Sequence, residues 1–328
     1  REKSADVLLQ GGVIGPDERL PWAQTGAMGV QQSYYQAFAR WLAEQGYGVT
    51  TFDYRGHGLS LQVPLRDARA DLLDWAKDCE LVAAHLKQQF PQQPLIWIGH
   101  SVGSQLPGLA SIPLPINGLL SVGSGSGYWR DNAAPTRRMI RLFWWGVAPL
   151  VTALYGAFPG RKLGIVGDLP AGVIWQWRRW CLNPLYAMGV EGRWAAEAYA
   201  AAHYPLHALY FEDDEMMSLA SVQSLVGWYK SAPSTLERVD PGLAPGGRIG
   251  HLGYFKEEMR ELLWQPLLPL LQSWRDELAK LDAASDLDKL EREAQAAHQA
   301  WLAVAQTVTR QRSAAAPALS QAVTEAMQ

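Results

Sequence analysis

Residues 95–110 read Leu-Ile-Trp-Ile-Gly-His-Ser-Val-Gly-Ser-Gln-Leu-Pro-Gly-Leu-Ala, and this stretch decides the fold. A short apolar run ends in Gly99-His100-Ser101-Val102-Gly103 and passes into small residues. The G-x-S-x-G spacing puts a serine on a tight strand-to-helix turn, with its hydroxyl raised above a sheet. The turn strains the serine backbone. Side chains at Gly99 and Gly103 would collide with the neighbouring strand and helix. A bare G-x-S-x-G is common, so its weight here comes from the strand before it and the partners after it.

Working outward, β-like runs occur at Gly48–Tyr54, Leu95–Gly99, Leu119–Gly123, Leu206–Phe211 and Ser234–Val239, with a weaker one at Asp6–Gln10. Helical patterns lie between them at Ser33–Glu44, Asp67–Gln89, Ser104–Ala110, Ser218–Ser231 and Lys256–Lys280. This alternation predicts an α/β fold, a mostly parallel sheet flanked by helices. Residues 127–202 break the alternation. They hold no clear strand, several helical patterns and seven of the fifteen tryptophans. An insertion there lies over the carboxyl ends of the strands, where open α/β sheets bind ligands. The expected organisation is therefore a core of residues 1–126 and 203–275, a helical cap at 127–202 and a helical C-terminal extension at 276–328. Ser313–Pro317 punctuates the extension, with a further short helix after it. The extension would pack on the body, fold as a hairpin or form an oligomer with another subunit.

A serine hydroxyl needs a base to take its proton and an acid to orient that base. Of seven histidines, His251 lies in the glycine-flanked loop Gly246–Phe255, after the last strand. A histidine there reaches over the sheet edge to the serine turn. The acid is expected after Leu206–Phe211, in Glu212-Asp213-Asp214-Glu215. Asp213 and Asp214 are both candidates, and a small residue four positions on, Ser218, favours Asp214. The order Ser101, Asp214, His251 suits a parallel-sheet hydrolase. One oxyanion donor is expected from the backbone N–H of Val102. The other should come from the loop Thr25–Val30, with Met28 as the candidate. His100 reads as packing beside the turn, and His57 as part of a structural turn.

Composition narrows the function classes. The chain has 328 residues, 48 % hydrophobic and 19 % charged, with net charge −3. That balance gives no basic face for nucleic acid. Two cysteines, Cys79 and Cys181, make no disulfide framework and no metal pattern. Nothing calls for a cofactor. No signal peptide is visible and no apolar run spans a membrane, so a cytoplasmic location is expected. Within the cap, Trp129, Trp144 and Trp145 are candidate substrate-binding residues, the alternative being a buried helical core. The apolar stretch Phe143–Val151 is a candidate for transient contact with a membrane or lipid surface and is too short to span one. Arg137, Arg138, Arg141, Arg178 and Arg179 read as solvated cap residues or as ligands for an anionic group.

Together these motifs resemble the α/β-hydrolase superfamily of serine esterases and lipases over about residues 5–275. Phe52-Asp53-Tyr54-Arg55-Gly56-His57-Gly58-Leu59-Ser60 is similar to its D-x-R-G-x-G-x-S signature. Gly99–Gly103 resembles its elbow, Phe211–Ser218 its acid loop and Ile249–Phe255 its histidine loop. Ala27-Met28-Gly29-Val30 with Tyr34-Tyr35 resembles a bacterial group of predicted hydrolases of unassigned substrate. The resemblance implies hydrolysis of a small-molecule ester with a hydrophobic acyl part, through an acyl-enzyme. Acyl transfer or thioester hydrolysis by the same triad is the alternative, and a non-catalytic scaffold is the reading from another class.

Overall fold

The computed structural model describes residues 11–14, 21–274, 276 and 287–326. Among the described residues nine strands follow one another. They are β1 (Gly11–Ile14), β2 (Pro21–Thr25), β3 (Gly48–Phe52), β4 (Ile96–His100), β5 (Gly118–Val122), β6 (Ala157–Pro159), β7 (Asp168–Pro170), β8 (Leu206–Phe211) and β9 (Ser234–Val239). Seven of them make one sheet, in the order β1-β3-β2-β4-β5-β8-β9. Only β1, at the edge, runs antiparallel to its neighbour. The other six are parallel.

Parallel strands covered on both faces are apolar on both sides, and here alternate residues feed two separate cores. On β4, Trp97 joins one core while Ile96 and Ile98 join the other. On β5, Leu119 faces the first and Leu120 and Val122 the second. The first core is shared with the helix Leu72–Gln89 and with the cap. That helix starts cleanly because Asp71 and Asp74 form a capping box. The second core is closed by the helix Gln36–Glu44 and by residues 254–274. Each fully buried Ile or Leu in these layers contributes about 1.5–3 kcal/mol over an exposed position.

The topology also positions a crevice. From β2 the chain turns toward β3, and from β4 it turns the opposite way toward β5. The loops after β2 and β4 therefore part at adjacent strand ends, where Thr25 pairs with Gly99. Such a reversal is where open α/β sheets hold ligands.

Several expectations need correction. The strand expected at Asp6–Gln10 lies outside the described residues. β2 was not expected as a strand, although it is central. Its sequence, Pro21-Trp22-Ala23-Gln24-Thr25, carries a proline and a buried glutamine that disguise it. The proline is tolerated because it sits at the first position of the strand. Residues 127–202, the expected cap, are not free of strand: β6 and β7 pair as a short antiparallel hairpin. The helix expected at Ser104–Ala110 is instead Val102–Gln105 followed by a tighter turn at Leu106–Leu109, where Pro107 lacks an N–H to donate. The long helix expected from Lys256 is broken into the short turns Glu257–Met259, Arg260–Trp264 and Gln265–Leu267, and Pro266 falls in the last. Its expected end lies outside the described residues.

Residues 275–328 form a second unit. Its helix, Leu287–Ala326, runs through Ser313–Pro317 instead of stopping there.

Candidate active site

The elbow is built as its glycines require. Ser101 sits at φ +54°, ψ −119°, a left-handed conformation that costs a non-glycine residue on the order of 1–3 kcal/mol. The surrounding packing holds it there. A Cβ on Gly99 would lie 2.5 Å from the Gly103 carbonyl, and one on Gly103 would lie 2.6 Å from Thr25 Oγ1. The Ser101 amide donates to the Val122 carbonyl of β5 at 3.1 Å. Thr25 Oγ1 donates to the Gly103 carbonyl at 3.0 Å, tying the turn to β2.

The acid run after β8 meets the histidine loop residue by residue. Asp214 faces the imidazole, its Oδ2 accepting from His251 Nδ1 at 2.9 Å. Asp214 Oδ1 also accepts from the amides of Met216 and Met217, both at 2.8 Å. Asp213 turns the other way and accepts from the amides of Ile249 and Gly250 at 2.8 and 3.0 Å. Glu215 accepts from the His251 amide at 3.1 Å. Glu212 pairs with Arg238. Asp213 is half-buried and Glu215 exposed, yet each spends a carboxylate oxygen on backbone amides of the histidine loop. Asp213 and Glu215 clamp the loop that carries His251.

Burial pushes the His251 imidazole toward the neutral form, but the carboxylates of Asp214 and Glu215 outweigh it. The net is a pKa raised above the ordinary histidine value. His251 and Ser101 line the same cavity. They make no direct hydrogen bond among the described contacts, and such bonds commonly close only with substrate in place.

His100 does more than pack. The Ala27 amide donates to Tyr35 Oη at 2.8 Å, and Tyr35 Oη lies 2.9 Å from His100 Nδ1. The His251 carbonyl facing Nε2 can only accept, so the one ring proton of a neutral His100 sits on Nε2 and Nδ1 accepts from the Tyr35 hydroxyl. Nε2 donates to that carbonyl at 2.9 Å. Burial and the neighbouring His251 hold His100 well below the usual histidine range, so it stays neutral. The relay joins the loop after β2 to the histidine loop. It was not legible in sequence, because Tyr35, His100 and His251 are far apart along the chain.

The residues expected to supply the oxyanion donors share the cavity of the serine. Met28 and Val102 both line the cavity with Ser101. Val102 begins a helix, where the first N–H groups have no partner within the helix. Ala27 spends its own amide on Tyr35. The loop is pressed against the cap so closely that a Cβ on Gly29 would lie 2.5 Å from the Gly167 amide nitrogen.

The D-x-R-G stretch after β3 braces the site without entering it. Asp53 accepts from the amides of Gln32 and Leu59 at 2.8 and 2.9 Å. Arg55 pairs with the buried Asp78 at 2.5 Å. His57 Nδ1 reaches the Asp168 carbonyl of β7 at 3.2 Å.

The cavity holds about 300 Å³, and its cap wall includes Ile140, Trp144, Ile165, Val166 and Trp177. Of the three tryptophans expected to bind substrate, only Trp144 is there. Trp129 and Trp145 meet edge-on at 5.4 Å and line a separate depression on the cap surface. Trp145 sits one residue after Trp144 on a helical turn and so points elsewhere. Trp177 was missed; it packs edge-on against Trp144 at 4.8 Å. Among the described residues no cluster of His, Cys, Asp or Glu has a metal-binding arrangement.

Comparison with known proteins places this architecture. Residues 28–154, which include Ser101 but not Asp214 or His251, match the family Hydrolase_4, described as serine aminopeptidase, S33. A search of curated proteins finds no significant sequence match. Among solved structures, a soluble variant of monoglyceride lipase from Saccharomyces cerevisiae aligns with TM-score 0.56 at 17 % identity, covering 82 % of this chain and 92 % of that one. A structure from carboxylesterases of the thaumarchaeon Nitrososphaera gargenis aligns with TM-score 0.54 at 11 % identity, covering 84 % and 99 %. An enzyme described as degrading N-acyl homoserine lactones aligns with TM-score 0.52 at 14 % identity, covering 83 % and 98 %. The parallel sheet, the glycine-framed serine turn and these likenesses of fold together show that the chain has an α/β-hydrolase fold.

Proposed function

We propose that the protein is a serine hydrolase that cleaves a carboxylic ester with a hydrophobic acyl part. One observation carries the reading: His251, held by Asp214 at 2.9 Å, shares a cavity with Ser101 on its strained turn. His251 Nε2 takes the Ser101 proton as Oγ attacks the ester carbonyl carbon. The amides of Val102 and Met28 hold the resulting oxyanion. The carbon–oxygen bond to the alcohol breaks, and His251 delivers its proton to that leaving oxygen. A water, deprotonated by His251, then attacks the acyl-enzyme. Ser101 leaves with the proton, and the carboxylic acid is released. Asp214 fixes the tautomer of His251 and stabilises its cation.

The cavity sits at the small end of ligand pockets, which run from about 300 to 1,000 Å³, and its cap wall is apolar. A short or medium acyl chain suits it. The ester class also fits the lipase, carboxylesterase and lactone-degrading enzymes that share the fold. Glu215 supports a second reading. It lines the cavity, and the carboxylate oxygen not held by the His251 amide would pair with the ammonium of an aminoacyl substrate, in keeping with the aminopeptidase description of the matched family.

Chromogenic acyl esters of graded chain length, assayed beside aminoacyl anilides, test both. Turnover that peaks at one acyl length and falls by several orders of magnitude in Ser101→Ala is the expected result. Preference for the anilides moves the assignment to peptide bonds. A folded protein that turns over neither, and whose Ser101 resists phosphonate labelling, refutes the hydrolase reading.

A further inference from the structure

The cap carries a second depression, of about 980 Å³, walled by Trp129, Arg130, Arg137, Arg138, Arg141 and Trp145. Arg130 and Arg141 lie over the Trp129 ring, 5.2 and 5.8 Å from its centre. None of the four arginines has a carboxylate partner among the described contacts, whereas Arg55, Arg193, Arg238 and Arg260 all do. The imbalance is written into the chain. Residues 132–167 contain no Asp or Glu and five basic residues, Arg137, Arg138, Arg141, Arg161 and Lys162, in a protein of net charge −3.

The same helices expose large apolar side chains. Met139 and Leu142 on Ala134–Leu142, and Leu150 and Leu154 on Ala148–Tyr155, are between 62 and 75 % exposed. Phe143, Trp144 and Ala148 of the intervening stretch are buried in the cap, so the apolar run does not act as one surface. Met139 and Leu142 share one nine-residue helix with Arg137, Arg138 and Arg141, so exposed apolar side chains and unpaired cations alternate along a single segment, which is not the ordinary scatter of surface hydrophobics.

A soluble polyanion would satisfy the arginines and leave the leucines in water. An apolar partner would cover the leucines and leave the cations unmatched. A bilayer with anionic headgroups meets both, with arginines at the phosphates, leucines in the upper acyl region and tryptophan at the boundary. We propose that this face of the cap docks on the surface of an anionic lipid bilayer. It lies on the surface without spanning it, since no helix among the described residues is long and apolar enough to cross a membrane. Ile140, on the same helix as the arginines, lines the Ser101 cavity. Docking would therefore set the cavity wall close to a supply of lipid-soluble substrate. The proposal stands on the cap surface and not on the ester-hydrolase reading, because binding is measured without substrate.

The test is co-sedimentation of the full chain with phosphatidylcholine vesicles, with and without phosphatidylglycerol. Binding to the anionic vesicles that weakens as salt rises is expected. An arginine near such a surface is worth about fivefold in partitioning, so Arg137→Glu/Arg138→Glu/Arg141→Glu should bind at least about a hundredfold more weakly. Leu150→Ser/Leu154→Ser should also weaken binding, with unchanged circular dichroism in both variants. No binding to anionic vesicles overturns the proposal, and so does binding that both variants retain. Equal binding of a single-stranded oligonucleotide, or release from vesicles by millimolar glycerol phosphate, also overturns it. Either result would mean a site for soluble phosphates.

Discussion

Tyr35→Phe tests the relay that joins the two loops of the site. The substitution removes one oxygen from a fully enclosed position. That oxygen accepts from the Ala27 amide at 2.8 Å and meets His100 Nδ1 at 2.9 Å. Phenylalanine fills nearly the same space, so packing against Tyr34 and Phe255 is kept. What changes is that one donor and one acceptor lose their partner together in a dry interior. Each orphaned group costs about 1–3 kcal/mol, and relief from burying the hydroxyl offsets part of the sum, leaving about 2–4 kcal/mol. With a urea m-value of about 3 kcal/mol per molar, the midpoint should fall by about 1 M. The activity effect follows from position. Ala27 adjoins Met28, and His100 holds the carbonyl of His251. Loosening both ends should lower kcat about 10- to 100-fold, as small misplacements do. Urea unfolding followed by tryptophan fluorescence reads the first effect, and ester turnover reads the second. A stability loss below about 0.5 kcal/mol with full activity refutes the relay. Additivity gives a further check: Tyr35→Phe and His100→Leu in one chain should cost less than the two separate losses together.

His251 must be neutral to take a proton, and its pKa is raised above the ordinary 6.5. Activity should therefore climb with pH through a midpoint above that value. In Asp214→Asn the raising carboxylate is gone and burial dominates, so the midpoint should move below 6.5 while kcat falls about 10⁴-fold; an unmoved midpoint in the pH–rate profile contradicts the pairing. The sign for stability is the reverse: the raised pKa lends stability below pH 6.5 that is lost as pH rises through the folded value. Gly103→Ala puts a methyl 2.6 Å from Thr25 Oγ1 and 2.8 Å from the Thr25 carbonyl. With backbone on one side the turn must shift, at about 1–3 kcal/mol, and activity should drop with stability. Wild-type melting temperature and turnover would show that the elbow is not held against β2.

Much of this protein could be read directly from its residues, because the relevant physics is local. Gly99, Ser101 and Gly103 specify a strained turn within five positions. The apolar run before it and the alternation of runs after it point to a parallel sheet, whatever the rest of the chain does. The histidine loop announces itself through its flanking glycines. Local signals fail where meaning depends on direction. Asp213, Asp214 and Glu215 are chemically alike and adjacent, yet one faces the imidazole and the other two hold backbone amides. Only the path of the folded loop separates them. Trp144 and Trp145 divide in the same way, one into the cavity and one onto the surface. β2 hid because a central parallel strand is stabilised by neighbours on both sides and tolerates Pro21 and Gln24, which its own propensities disfavour. The Ala27–Tyr35–His100–His251 relay, and the arginines gathered around Trp129, exist only once distant segments meet. Residue chemistry and chain order determined the kind of machine this is. Tertiary structure decided which atoms face one another, because hydrogen bonds and burial act through space and not along the chain.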